Sequence, residues 1–300
     1  MALPVIISGS PPAVIGKQNS YHGPFKSSGG AFYTVVGDDN SVSAIWCFQD
    51  GDNIHCVFQH SITETRLINC YKATDPTSSF TAQDTANRPQ TTTAWDVFYA
   101  RFSMSSDTWQ DVDGSSNTEV LVDTTNTTQT AAACSIGIRS DSDIVVVYQG
   151  DSDMVLGTEY DRIDMNVSTN DGPTWAGPTS IDNAGAVDWT GCVIVPGSSD
   201  RMHVFFKDNT NSDAYQRRIN SDDSLETFPS SFDASVDSGS TYLFKHGESY
   251  DDGGTQRVRC PYNSGTARKI NIAKLDSADT PTLSTDTNVN DTVDINLTLD

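Results

Sequence analysis

Four stretches of the chain repeat one order of residue types. Residues 53–80, 143–175, 200–228 and 255–283 each open with an apolar run ending in an aromatic: Phe58, Tyr148, Phe206 and Tyr262. An Asp/Asn/Ser/Gly turn usually follows, and then a second extended stretch. Each closes with a Ser/Thr/Asp-rich turn that ends in Phe80, Trp175, Phe228 or Leu283. Trp175, Phe228 and Leu283 are 53 and 55 residues apart. A supersecondary unit repeated at a near-fixed period cannot bury its apolar face alone, so neighbouring copies must stack. This constrains the fold more than any composition figure does.

The period is close to the roughly 40–50 residues of four-stranded propeller blades and too long for leucine-rich or ankyrin units. No run of three turns carries apolar residues at i, i+3, i+4 and i+7, so helices are not expected. Alternation is frequent instead, as in RMHVFF, RKINIA and VSAIWCF, and turn signals such as QDGDN (49–53) and KDNTNSD (207–213) separate the runs. The acidic residues agree with this pattern. Only five of 40 are Glu (Glu64, Glu119, Glu159, Glu226, Glu248), and Asp favours turns where Glu favours helices. Radial closure of repeated antiparallel sheets hides their edges. The sequence therefore predicts one all-β domain over residues 1–300, a five- or six-bladed β-propeller of four-stranded blades. The expected units are 30–80, 81–122, 128–182, 183–233 and 234–285. The 81–122 unit is a shorter, degenerate copy that includes Trp95 to Trp109. Residues 1–29 and 286–300 are expected to close the ring or form attachments, with 292–300 pairing to an N-terminal strand.

A formal net charge of −22 and a pI of about 4.3 exclude a basic stripe for nucleic acid and disfavour an anionic membrane surface. No segment reaches the roughly 18 apolar residues of a membrane span. The start, MALPVIISGSPPAVIG, has no basic n-region, which reads as a chain made in the cytoplasm without a cleaved signal. The six cysteines (Cys47, Cys56, Cys70, Cys134, Cys192, Cys260) lack CxxC and zinc spacings. Most lie in apolar runs and read as buried free thiols.

Residues 168–175 read STNDGPTW. Ser, Asn and Asp hydrogen-bond nearby backbone and close tight turns. Gly172 tolerates positive φ, Pro173 fixes its own φ, and Trp175 brings a large apolar ring. The stretch resembles the Asp-box, or BNR repeat, whose pattern is Ser-x-Asp-x-Gly-x-Thr-Trp. Ser168, Gly172, Thr174 and Trp175 match it, and Asn170 stands where Asp is usual, able to make the same turn as a neutral acceptor. In SDDSLETF, Ser221, Asp223, Thr227 and Phe228 match a second copy, with Leu225 in place of Gly. TDPTSSF (74–80), SSDTW (105–109) and SADTPTL (277–283) are weaker echoes. The resemblance covers roughly residues 30–285. It implies a sialidase-like propeller with the box between the third and fourth strands of a blade. It does not imply catalysis, since one fold hosts many functions.

Sialidases, as that family is known, clamp a carboxylate with three arginines and use a Tyr–Glu pair and an Asp acid. The planar guanidinium fork suits a carboxylate. Here the first Arg in the chain is Arg66, and the family's Phe/Tyr-Arg-Ile-Pro motif is missing. Tyr160 lies beside Glu159, but strand neighbours point to opposite faces. Arg101, Arg139, Arg217, Arg218, Arg259 and Arg268 read as solvated strand-end charges. Sialidase activity is therefore not expected. A generic glycoside hydrolase needs two carboxyls about 5–10 Å apart, and with so many Asp some pair meets that by chance. The histidines (His22, His55, His60, His203, His246) are scattered. No cofactor is expected. Asp141/Asp143, Asp151/Asp153 and Asp251-Asp252-Gly253-Gly254 offer oxygen ligands for a structural Ca²⁺, against the commoner reading of ordinary solvated turns.

Trp46, Trp95 and Trp189 fall outside the box positions. Trp95 and Trp189 sit in polar contexts (TTTAWDV, AVDWTG) and are the ligand-binding candidates, because an indole stacks on a sugar and keeps a polar handle, set against buried core as the default for any Trp. The Thr/Ser/Asn/Asp-rich, turn-dense style resembles phage or virion appendage proteins. The expected function is a non-catalytic glycan- or protein-binding propeller, a virion surface component, with other protein subunits or a homo-oligomer as further partners. The alternative is a glycoside hydrolase.

Overall fold

The computed structural model describes residues 5–8, 21–26, 32–36, 42–51, 53–62, 65–74, 81–88, 97–103, 105–112, 119–122, 134–150, 162–182, 188–233, 244, 247–264, 269–275 and 281–285. Among them there is no α-helix; the one helical turn is a 3₁₀ turn at Ser198–Asp200. The chain is all-β, of propeller-blade type, with six antiparallel sheets among the described residues.

The first sheet holds β1 (Val5–Ser8), β2 (Tyr21–Lys26) and β3 (Phe32–Val36), in the order β1-β3-β2. The second is β4 (Val42–Asp50), β5 (Asn53–Ile62), β6 (Thr65–Ala73) and β7 (Thr81–Arg88), in chain order. The third holds β8 (Phe98–Ser103), β9 (Thr108–Gln110) and β10 (Glu119–Leu121), in the order β10-β8-β9. The fourth is β11 (Cys134–Ile138), β12 (Ile144–Gly150), β13 (Arg162–Ser168) and β14 (Thr179–Ser180), in chain order. The fifth is β15 (Trp189–Pro196), β16 (Met202–Asp208) and β17 (Asp213–Ile219), and the sixth is β18 (Glu248–Asp252), β19 (Thr255–Ser264), β20 (Lys269–Leu275) and β21 (Pro281–Thr285), both in chain order.

Up-and-down strand order is the blade topology. It explains where the repeated turn falls. The stretches 74–80 and 168–175 lie between the third strand of a four-stranded sheet and its fourth, and 277–283 falls at the same place and runs into β21. The stretch 221–228 follows β17, the third strand of its sheet. The fourth strand there is reduced to isolated bridges, Ile219↔Leu225 and Ala214↔Asp233. Pro229 between them carries no N–H to continue the ladder. The second sheet extends to Arg88, past the unit boundary expected at 80/81.

The chain divides into two compact units: Met1–Thr92 with Ala100–Glu119 and Ile295–Asp300, and Thr93–Tyr99 with Val120–Asp294. The proposed pairing of residues 292–300 lies outside the described residues.

In the first unit, Ile54, Cys70 and Ala73 are fully buried. Phe102 and Trp109 are cross-strand partners whose rings meet edge-on at 5.3 Å. Trp109, the end of SSDTW, thus packs back onto its own hairpin. Lys72 Nζ donates to the Asp107 carboxylate at 3.0 and 3.2 Å.

In the second unit, three sheets stack face to face. Val145 and Val147 of β12, Ile163, Met165 and Val167 of β13, and Ile194, Met202, Val204 and Phe206 of the fifth sheet share one core. The other side of the fifth sheet, with Val193, Val195 and Phe205, packs on Val258, Cys260 and Tyr262 of β19. Ile144, Val146 and Tyr148, the alternate residues of β12, pack on Val97, Val122, Tyr99 and Trp175. A strand in the middle of such a stack is covered on both faces. That is why all seven residues of β12 and of β16 are buried, the polar His203, Lys207 and Asp208 of β16 included, and why β12 opens with a continuous apolar run rather than alternating. Each fully buried Val, Ile or Phe side chain contributes about 1.5–3 kcal/mol.

Candidate functional site

The turn after β13 is closed by its own side chains. Ser168 Oγ donates to Asn170 Oδ1 and accepts from the Gly172 N–H, both at 2.9 Å. Asn170 Oδ1 also accepts from the Thr174 N–H at 3.2 Å, while Asn170 Nδ2 donates to Thr174 Oγ1 at 2.8 Å. Asn170 thus accepts as an Asp would and adds a donor that Asp lacks. Asp171 and Gly172 take φ of 63° and 109°. A Cβ on Gly172 would lie 2.2 Å from the Tyr99 ring, so backbone conformation and close packing both require glycine. Trp175 meets Tyr99 edge-on at 5.7 Å.

The second copy closes differently. Here Asp222 Oδ1 accepts from the Ser224 N–H and Oγ, at 3.1 and 2.6 Å. Asn220 and Ser224 pair through their backbones, and Asp223 is the left-handed residue at φ 66°. The expectation that Ser221 and Asp223 would act as Ser168 and Asn170 do is corrected: Ser221 and Thr227 are exposed, and the Asp223 carboxylate faces Arg139 at 2.7 Å. The reason is Leu225. It stands where the first turn has glycine, bridges back to Ile219 and packs on the core, so the hairpin closes early. Phe228 keeps the aromatic role, against Tyr215 at 5.4 Å and Trp189 at 6.1 Å.

Arg139 is the central residue of this end of the unit. Its side chain is fully buried, which corrects the reading of it as a solvated strand-end charge. Nε donates to Asp200 O at 3.1 Å and Nη2 to Asn220 O at 3.0 Å. The Asp223 and Asp143 carboxylates lie at 2.7 and 3.8 Å. One guanidinium therefore ties together the β11–β12, β15–β16 and post-β17 turns. A planar fork with five donors suits this geometry; lysine does not. Nothing in the local sequence marks Arg139, because its partners lie 61 and 81 residues away.

Three more of these arginines are also engaged. Arg217 donates to Ile181 O and Glu226 O and lies over Phe228 at 5.5 Å. Burial pushes its pKa down against the pull of Glu226 and Asp182. Arg218 pairs with Glu226, and Arg259 with Glu248 and the Tyr250 face. Among the described residues, Arg139, Arg217, Arg218 and Arg259 thus pair with different groups and form no shared carboxylate clamp. Arg268 lies outside the described residues.

Beside the Arg139 clasp, within the second unit, is a cavity of about 400 Å³. Ile138, Pro196 and Met202 form its apolar part; Ser140, Ser199, Asp200, Arg201 and Gln256 supply polar groups. The β15–β16 hairpin shapes it. Ser199 and Asp200 both have φ 58°, with Arg201 N–H bonded to Ser198 O at 3.3 Å, the arrangement of a tight primed hairpin turn. Gly197 has no room for a Cβ, which would meet His203 Nε2 at 2.5 Å. The Asp200 carboxylate accepts from the Ser140 N–H and Oγ, both at 2.9 Å. Those two bonds hold its pKa below the ordinary aspartate value. Asp143, by contrast, is pushed up by burial and by Asp141 and Asp223, against the pull of Arg139. Ser249 Oγ donates to Pro196 O and ties β18 to the same hairpin.

Trp189 is 2% exposed, at the centre of a cluster with Phe206, Tyr215 and Phe228. This corrects its reading as a ligand platform: a buried indole offers no face to a sugar. Trp95 lies outside the described residues. Asp141 Oδ1 accepts from the Asp143 N–H and Asp251 Oδ1 from the Gly254 N–H, so these are ordinary Asx-type turns. No group of three or more His, Cys, Asp or Glu that could hold a metal occurs among the described residues. Asp151 and Asp153 lie outside them. Cys70, Cys192 and Cys260 are buried free thiols, whereas Cys134 is exposed. Burial pushes the Cys192 and Cys260 thiols far up, which leaves them unreactive. No helix among the described residues is long and apolar enough to cross a membrane.

No protein-family model matches the chain, and no curated protein matches its sequence. Among solved structures it is similar to a protein of unknown function from Dyadobacter fermentans, at 10% identity and TM-score 0.48, over 77% of this chain and 75% of that one. It is also similar to the catalytic domain of a GH62 α-L-arabinofuranosidase from Coprinopsis cinerea, at 14% identity and TM-score 0.38, over 88% and 72%. An α-L-arabinanase from Cellvibrio cellulosa, solved with arabinohexaose, gives 10% identity and TM-score 0.38, over 82% and 78%.

Proposed function

We propose that this protein is a non-catalytic recognition module, a single propeller of five or six blades that binds a glycan or the surface of another protein. One observation carries the reading: around the cavity, charged groups hold the turns together instead of converging as a reactive pair. Among the described residues, Asp200 is the only carboxylate bordering the cavity. Its bonds to Ser140 keep it ionised, so it has no proton to give at neutral pH. Glycoside hydrolysis needs a second carboxyl about 5–10 Å away, one of the pair kept protonated. The two turns with Asp-box patterning fit scaffold roles in this reading, and the composition extends it to a virion or appendage protein.

The second reading, a glycoside hydrolase, draws on one feature. Asp143 and Asp200 are shifted in opposite directions around one arginine, the pattern that separates an acid from a base. Against it, Asp143 does not border the cavity. The test is a glycan array probed with the full chain, with mass spectrometry of the array for products. Bound, uncleaved glycan is the expected result. Products that disappear in an Asp143→Asn variant would overturn the recognition reading in favour of the hydrolase.

A further inference from the structure

We infer that the cavity beside the Arg139 clasp is a subsite for one or two units of a neutral saccharide; the inference rests on the recognition reading above and assigns it a place and a ligand class. Three properties of the cavity lead there.

The first is size. About 400 Å³ falls at the small end of ligand sites, which span roughly 300–1,000 Å³. That suits a mono- or disaccharide better than a folded protein epitope. The second is the mixed lining. Ile138, Pro196 and Met202 are its apolar residues, and Ile138 is 59% exposed. A pyranose or furanose has an apolar C–H face and a polar rim, and a mixed lining can meet both. Among the polar lining residues, Arg201 carries N–H donors only, the Gln256 amide both donates and accepts, and the Ser199 hydroxyl does both. Sugar hydroxyls are likewise donor and acceptor at once. A ligand with one kind of group would leave half of this set unmatched.

The third is charge. Arg139 is balanced by Asp223 and Asp143, and the ionised Asp200 stands beside Arg201 in the chain, both bordering the cavity. No excess of positive charge is left to favour an anion. The whole chain, at −22, repels one. A uronate or sialoside is therefore a poorer fit than a neutral sugar. The subsite is also pre-formed. The Arg139 clasp, the Ser140–Asp200 bonds and the Ser249–Pro196 bond fix the hairpin that shapes it, so little ordering is required on binding.

The experiment uses the full chain and a panel of methyl glycosides of glucose, galactose, mannose, xylose and arabinofuranose, with methyl glucuronide as the charged comparison. Saturation-transfer NMR and titration report binding to the wild type and to Arg201→Ala, Gln256→Ala and Thr227→Ala. Melting curves verify that each variant is folded. The expected result is saturable binding of at least one neutral glycoside, weakened about tenfold or more by Arg201→Ala and about three- to tenfold by Gln256→Ala, and unchanged by Thr227→Ala, which does not border the cavity. Neutral-sugar binding untouched by both cavity variants would overturn the assignment of the cavity while leaving the recognition reading standing. A preference for the glucuronide, abolished by Arg201→Ala, would overturn the ligand class. Binding of no saccharide, here or on the array, would overturn the cavity assignment, and hydrolysis of an arrayed glycan by the intact protein would overturn the recognition reading.

Discussion

The turns at 168–175 and 220–228 carry similar residue patterns and solve the same problem, returning the chain at the end of a third strand. They do so in different ways. In the first, the side-chain bonds of Ser168, Asn170 and Thr174 stay inside the turn, and Trp175 packs on Tyr99. In the second, Asp222 and Ser224 close a shorter turn, and Asp223 is released to face a buried arginine of the neighbouring sheet. They contrast most at the glycine position: Gly172 reaches φ 109° against an aromatic ring, whereas Leu225 returns to the sheet. A turn motif is thus a set of compatible residues, and the residue at the glycine position helps set whether its polar groups serve the turn or its neighbours.

The strongest way to break this contrast is Arg139→Met. It removes the partner that the second turn uses and the first does not need. Stability should fall by about 3–5 kcal/mol, the cost of leaving buried partners uncompensated, measured by denaturant unfolding. A loss below about 1 kcal/mol would mean the clasp is dispensable. Next comes Gly172→Ala, expected to cost about 2–3 kcal/mol from positive-φ strain and collision with Tyr99. Pairing it with Tyr99→Ala sharpens the point, because part of the glycine effect should vanish when the ring is gone, and a double-mutant cycle reads that part directly.

Asn170→Ala should cost about 1–2 kcal/mol, since it removes the acceptor shared by Ser168 and Thr174. Asn170→Asp should cost less than about 1 kcal/mol, keeping the acceptor and losing only the donor to Thr174. Equal effects would show that the side chain's acceptor role is unimportant.

The smallest effect is in pH dependence. Asp200 and Asp222 have pKa values lowered by hydrogen bonds from Ser140 and Ser224. A lowered carboxylate stabilises the fold above its unfolded value, near 3.9, and that contribution is lost as pH falls through the folded value. Asp143 and Asp213, both raised chiefly by burial, act in the opposite sense: they favour the fold at low pH and lose that contribution as pH rises through their folded values. Exchange of the Ser140 amide should therefore accelerate on acidification below the ordinary aspartate range, relative to a buried β12 amide. An Asp200→Asn variant should flatten that acid dependence. An unchanged profile in the variant would place its origin elsewhere.

The residue order alone determined a good deal of this molecule. The near-absence of helical spacing, the Asp-rich turns and the 53- and 55-residue intervals specify successive antiparallel sheets, because backbone periodicity and turn chemistry are local properties. The same locality made the Ser168–Trp175 turn readable residue by residue. What the sequence did not determine is which polar and aromatic residues end up inside. Trp189, in the polar context AVDWTG, reads as a ligand-binding candidate yet is core, and Arg139 reads as surface charge yet is fully buried. Burial depends on what arrives from distant parts of the chain: Phe228 and Tyr215 onto Trp189, Asp200, Asn220 and Asp223 onto Arg139. Stacking of the sheets places those groups, and with them the cavity, so only the tertiary structure decides them.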